Sequence, residues 1–83
     1  MIRVVVADDQ DLVRTGFRLI LAGEPDIDVV GEAADGSAAV RLTAQLRPDV
    51  VLMNFRMPVM DGIAAARQIH DEHPLTRSHP DHI

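Results

Sequence analysis

Asp49-Val50-Val51-Leu52-Met53-Asn54-Phe55-Arg56-Met57-Pro58-Val59-Met60-Asp61-Gly62 is the stretch that decides the fold. Its apolar run, Val50 to Met53, is bounded by Pro48-Asp49 on one side and Pro58 on the other. A short, unalternating run of this kind reads as a strand buried on both faces, and such strands belong to parallel sheets. The run stops on a polar residue, Asn54. In open α/β sheets the chemistry sits just outside the carboxyl ends of the strands, so Asn54 stands where a functional side chain is expected. Pro58 blocks further strand, and Asp61 ahead of Gly62 starts the next helix.

A second run of the same type, Ile2 to Ala7, is interrupted only by Arg3 and is followed directly by Asp8 and Asp9. A helix then begins at Gln10 or Asp11 and runs to about Ala22, where Gly23 and Pro25 end it. Val13, Phe17, Ile20 and Leu21 recur on it at helical spacing. Ile27 to Ala33 reads as another strand. Asp35-Gly36-Ser37 turns the chain into a helix ending near Leu46, with Ala39, Val40, Thr43 and Leu46 on one side. A third helix spans about Gly62 to Asp71, with Ala65, Ala66 and Ile69 facing inward. This β-α-β-α-β-α alternation with short connections predicts a parallel sheet with right-handed crossovers.

The totals set bounds. At 83 residues the chain makes one small domain, with core burial only just sufficient. It has no cysteine, which excludes disulfides and thiolate metal sites. Its apolar runs are too short to cross a bilayer, so a soluble, cytoplasmic chain with no membrane partner is expected. The formal net charge of −5 argues against a nucleic-acid surface, which is normally basic. All eight basic residues are arginine.

If the first and third strands are neighbours, Asp8, Asp9 and Asn54 converge at one crevice. Two carboxylates and an amide oxygen suit a hard divalent cation such as Mg²⁺. The plainer reading of Asp8-Asp9 is a helix cap with a favourable dipole contact.

The run from Asp49 to Gly62 resembles the phosphoacceptor segment of response regulator receiver domains. Met57, Pro58, Met60, Asp61 and Gly62 match that family's pattern in order and spacing. The segments Val4 to Gln10, Val30 to Ala33 and Arg47 to Val51 are similar to the NarL/FixJ subfamily, whose full-length members end in a LuxR-type helix-turn-helix. The resemblance covers roughly residues 2 to 77. It implies an incomplete flavodoxin-like fold, with a three-stranded sheet in the order 2-1-3 that lacks strands 4–5 and helices 4–5. It also implies a Mg²⁺ site made by Asp8, Asp9, the residue at 54 and the backbone carbonyl of Arg56. The implied partners are a sensor histidine kinase or a sibling receiver, met through the first helix and the loops around the acidic site.

The chain departs from that family at the place its chemistry needs. Asn54 stands where the family has its acceptor aspartate, and a neutral carboxamide cannot form an acyl phosphate. The amide also removes a negative charge from the metal site and weakens cation binding. The family's phosphate-clamping lysine is absent, because the chain has no lysine, and arginine is not a free replacement. No nucleophile–base pair or glycine-rich phosphate loop is present, so enzymatic turnover of a separate substrate is not expected.

Residues 78–83 read as a tail foreign to the receiver domain at 1–77. Shifted by one base, codons for Ser78 to Ile83 permit Val-Ile-Leu-Thr-Thr-Phe, so a frameshift near Arg77 is one expectation. On that reading the third strand is an open apolar edge, prone to self-association, and Phe17 and Ile20 are partly uncovered. His70, His73, His79 and His82 form two H-x-x-H pairs, a spacing that also suits zinc or nickel. The leading expectation is thus a truncated receiver without a phosphoacceptor, of a parent family that regulates transcription. The alternatives are a phosphorylation-independent interaction module or a non-functional pseudogene product.

Overall fold

The structure, a computed structural model, describes residues 1–57 and 59–80. Seven elements follow one another: β1 (Ile2–Ala7), α1 (Asp11–Ala22), β2 (Ile27–Ala33), α2 (Gly36–Leu46), β3 (Val50–Met53), α3 (Gly62–Glu72) and β4 (Arg77–Pro80). The strands form one parallel sheet in the order β2-β1-β3-β4. The predicted order 2-1-3 is therefore present, with a strand added beside β3.

That fourth strand corrects two expectations. The sheet has four strands among the described residues, and β3 is not an edge. Ser78, His79 and Pro80, read as tail, pair with Val51, Leu52 and Met53. Residues 81–83, including His82, lie outside the described residues. The sequence signal for β4 was weak for a physical reason. Arg77, Ser78 and His79 are exposed, so the strand carries no hydrophobic pattern. Backbone pairing builds it, and local anchors start it. The Thr76 hydroxyl donates to the Pro48 carbonyl at 2.7 Å, and Arg77 N–H donates to the Asp49 carbonyl at 2.9 Å. Exposed charge and a terminal proline are also how natural sheets blunt an edge against self-pairing.

β1 is interior and carries the densest part of the core. Val4, Val5, Val6 and Ala7 are all buried. Val5 and Ala7 share one buried cluster with Val51 and Met53 of β3, Ala39 and Val40 of α2, and Ala65 and Ile69 of α3. Their spacing on α2 and α3 is the apolar stripe of a surface helix packed on a sheet. Asp35 and Asp61 cap these two helices, accepting from Ala38 N–H and Ala64 N–H, each at 2.8 Å. α1 is different: none of its residues is fully buried. Phe17 and Leu21 are half-buried, whereas Ile20 is 69% exposed, so Ile20 does not join the buried face that its spacing predicts.

At the opposite end of the sheet from the acids, Arg3 ties three elements together. Its guanidinium Nη1 donates to the Leu46 carbonyl at 2.6 Å and to the Arg47 carbonyl at 3.3 Å, which satisfies the end of α2. Its backbone N–H donates to the Asp49 carboxylate at 2.8 Å. The one polar interruption of β1 is thus a clasp for the neighbouring helix terminus and the start of β3.

Candidate functional site

Strand register brings the site together. Ala7 pairs with Ala33 of β2 and with Met53 of β3. The next residue on each side, Asp8 and Asn54, therefore leaves the sheet at the same level. Backbone bonds fix that exit: Asp8 N–H donates to the Ala33 carbonyl at 3.0 Å, and Asn54 N–H donates to the Ala7 carbonyl at 2.9 Å. A one-residue slip of β3 would turn Asn54 to the other face.

The three predicted side chains have different surroundings. Asp8 is buried, at 3% exposure, and its Oδ1 accepts the Gln10 N–H at 2.9 Å. Asp9 is exposed. Asn54 is half-buried and bridges two groups: its Nδ2 donates to Asp9 Oδ1 at 3.5 Å, and its Oδ1 accepts the Arg56 N–H at 3.1 Å. The carboxamide thus presents a donor to an acid, which an ionised carboxylate cannot do.

The plainer reading of the acidic pair as a helix cap is not what the structure contains. The N-cap of α1 is Gln10, and it makes no side-chain cap bond. Asp8 holds the N-cap residue itself, and Asp9 reaches toward Asn54. Only Asp11 lies in the first turn of α1, where a negative charge favours the helix dipole.

The loop after Asn54 is held by two glycines whose missing side chains matter. Gly62 N–H donates to the Phe55 carbonyl at 2.8 Å, and Gly36 N–H donates to the Met60 carbonyl at 3.0 Å. A Cβ at Gly62 would fall on the Asn54 carbonyl and the Phe55 backbone, and one at Gly36 on the Met60 carbonyl. Met57 is buried beneath the loop, and Asp61 caps α3. These motif residues therefore shape the loop that carries Asn54 and Arg56. Pro58 lies outside the described residues.

Sequence reasoning missed Arg14. It projects from α1 toward the turn that carries the acids. Its Nη1 donates to the Asp8 carbonyl, its Nη2 pairs with Asp11, and its Nε lies 3.6 Å from Glu32 on β2. Its side chain is only 14% exposed. The i,i+3 spacing from Asp11 was a visible signal for one of these three contacts. The contacts to Asp8 and Glu32 depend on tertiary placement.

The family model for the response regulator receiver domain matches residues 4–78. The chain belongs to the response regulator receiver domain family. Transcriptional regulatory protein LiaR of Bacillus subtilis is 54% identical over 69 residues, which is 83% of this chain and 33% of LiaR. The chain thus spans about a third of that relative's length. The signal receiver domain of the response regulator NarL from Mycobacterium tuberculosis superposes with a TM-score of 0.89 at 43% identity, covering 93% of this chain and 62% of that one. A CheX–CheY–BeF3–Mg²⁺ complex from Borrelia burgdorferi superposes at 0.87 with 26% identity, covering 93% and 58%. The receiver fold and the NarL-type resemblance are both borne out.

In this receiver, Asp8 and Asn54 follow adjacent strand ends and Asn54 contacts Asp9, while among the described residues His70, His73 and His79 form no metal-holding group. Among the described residues, no cluster of three or more His, Asp or Glu side chains is placed to hold a metal ion. At the strand ends the oxygen groups are the two acids and the Asn54 amide, with Arg56 bonded to that amide through its N–H. Hard oxygen donors fit Mg²⁺ in kind. The amide oxygen has two lone pairs, of which Arg56 N–H engages one. No helix among the described residues is long and apolar enough to cross a membrane.

Proposed function

We propose that this receiver carries signals without itself being phosphorylated, because Asn54 holds the acceptor position. The observation that supports the reading is the pairing of Asn54 Nδ2 with Asp9 at the carboxyl end of β3. Acyl phosphate formation needs a carboxylate oxygen to attack phosphorus. A carboxamide oxygen is a poor nucleophile, and its nitrogen is engaged with an acid. Asp8, Asp9, the Asn54 amide oxygen and the Arg56 carbonyl would hold Mg²⁺, whose chemistry is to neutralise phosphoryl charge. With one carboxylate fewer than the family's site, binding is weak.

The proposed partners are a sensor histidine kinase or a sibling receiver, and the proposed location is the cytoplasm. α1 supports docking, since Leu12 next to the acidic turn and Leu19 and Ile20 near the other end of the helix are 84%, 67% and 69% exposed. Exposed apolar side chains grouped on one element mark interaction surfaces. Bound this way, the chain would compete with a phosphorylatable receiver for the same kinase. The self-association once expected at β3 is not proposed, because β4 covers that edge.

The test is incubation with a radiolabelled, autophosphorylated histidine kinase or a small acyl phosphate, in Mg²⁺. The expected result is no phosphoryl adduct on this chain. A hydroxylamine-sensitive adduct would overturn the proposal.

A further inference from the structure

We propose that Arg14 is a positioning residue for the acidic pair, an inference that rests on the reading of Asp8, Asp9 and Asn54 as a Mg²⁺ site. Three observations carry it. The guanidinium donates to the carbonyl of Asp8, the residue at which β1 becomes the acidic turn. It pairs with Asp11 at the start of α1 and faces Glu32 near the end of β2. It does this with a side chain that is 14% exposed, and its bond to the Asp8 carbonyl is partly buried, whereas its partner Asp11 is exposed.

The geometry assigns the guanidinium a fixed task. Asp8 is the residue that follows β1 and opens the turn into α1. Its N–H donates to the Ala33 carbonyl, and its Oδ1 accepts the Gln10 N–H. The Asp8 carbonyl is the third polar group of that residue, and Arg14 donates to it. A planar fork with several donors can bond a carbonyl and a carboxylate at once, whereas an ammonium is a single point of charge. The positive charge behind the turn also lowers the mutual repulsion of Asp8 and Asp9 before any cation arrives. Arg18 is the built-in comparison. It pairs with the same Glu32 at 2.9 Å but is half exposed, and it bonds Glu32 and not the Asp8 turn.

Groups that orient metal ligands from behind typically change metal affinity by about 10- to 100-fold when removed. The experiment is a MgCl₂ titration followed by ¹⁵N NMR, on the full chain and on Arg14→Gln, Arg14→Lys and Arg18→Gln. Asn54 is the sole asparagine of the chain, so its side-chain amide is an unambiguous reporter. The expected result is Mg²⁺ affinity weakened about tenfold in R14Q, only partly restored in R14K, and unchanged in R18Q. Equal affinity in R14Q and the parent chain would overturn the proposal.

Failure of the underlying metal reading has a separate signature: the parent's Asn54 amide does not move with MgCl₂. Positioning is then judged without metal, by hydrogen exchange at the Asp8 and Gln10 amides, the two N–H groups bonded at the turn. Faster exchange in R14Q than in R18Q sustains the positioning role, and equal exchange ends it.

Discussion

Restoring a carboxylate at position 54 should make this receiver less stable in the absence of divalent cation. The perturbation is Asn54→Asp. In the structure Asn54 Nδ2 donates to Asp9 Oδ1 at 3.5 Å, with buried Asp8 on the adjoining strand end. An aspartate there replaces an attractive donor–acceptor contact with two like charges at about the same separation. Coulomb's law gives about 1 kcal/mol at that distance in a water-like dielectric and about 5 kcal/mol at an effective constant of 20. Asp9 is exposed and Asn54 half-buried, so the lower part of that range applies, at about 1–2 kcal/mol. The chain has no tryptophan or tyrosine, so urea unfolding is best followed by far-ultraviolet circular dichroism. For a small domain with a urea slope of about 1 kcal/mol/M, the midpoint in EDTA should fall by about 1–2 M. Added MgCl₂ should recover more stability in N54D than in the parent, by mass action on the tighter site. The penalty requires ionised carboxylates. It is therefore present at pH 7 and fades as acid protonates the carboxylate introduced at position 54. An N54D midpoint in EDTA equal to or above the parent's, at low salt and pH 7, would refute the account of Asn54 as a neutral bridge.

Three further substitutions test the scaffold around the site. Gly62→Ala should cost about 3 kcal/mol or more, because its Cβ meets backbone atoms of Asn54 and Phe55 that have no free rotor to yield; an unfolding midpoint within error of the parent would contradict the close approach. Arg47→Gly should stabilise by up to about 1 kcal/mol, measured by thermal unfolding. Arg47 is the C-cap of α2 at φ 45°, a left-handed conformation that costs a non-glycine residue about 1–2 kcal/mol, partly offset by glycine's greater freedom when unfolded. Arg3→Met should destabilise by about 1–3 kcal/mol, because the Leu46 carbonyl at the end of α2 loses a charge-assisted partner; loss of exchange protection confined to the end of α2 and the start of β3 is the expected pattern.

Much of the fold was legible in the sequence because burial on a parallel sheet leaves continuous apolar runs. Ile2–Ala7, Ile27–Ala33 and Val50–Met53 were read with the boundaries that the structure has. Each is bounded by residues with a local physical role: Asp8 and Asp9, Asp35, Pro48, Asn54. The helix faces were legible for α2 and α3, whose stripes pack on β1 and β3. On α1 the spacing marks Ile20 as a buried residue, yet it is exposed, in line with the expectation that Phe17 and Ile20 are partly uncovered. Periodicity records what a helix is built to pack against, and the described residues place nothing over that side of α1.

β4 and Arg14 show the other limit of sequence reading. β4 exists because Val50 to Met53 present a row of backbone groups that any extended neighbour can satisfy. Its own side chains specify little, so composition argued against a strand that hydrogen bonding builds. Arg14 is the same problem at a single residue: its partners at Asp8 and Glu32 come from two strands brought together only by the sheet. The acids and Asn54 were readable because strand ends advertise themselves. The sequence of α1 does not disclose which contacts Arg14 makes, since an exposed arginine pairing with Asp11 and one bonded to the Asp8 turn have the same sequence. Only the packing of α1 against β1 and β2 decides between them, by setting Arg14 beside the Asp8 carbonyl and Glu32.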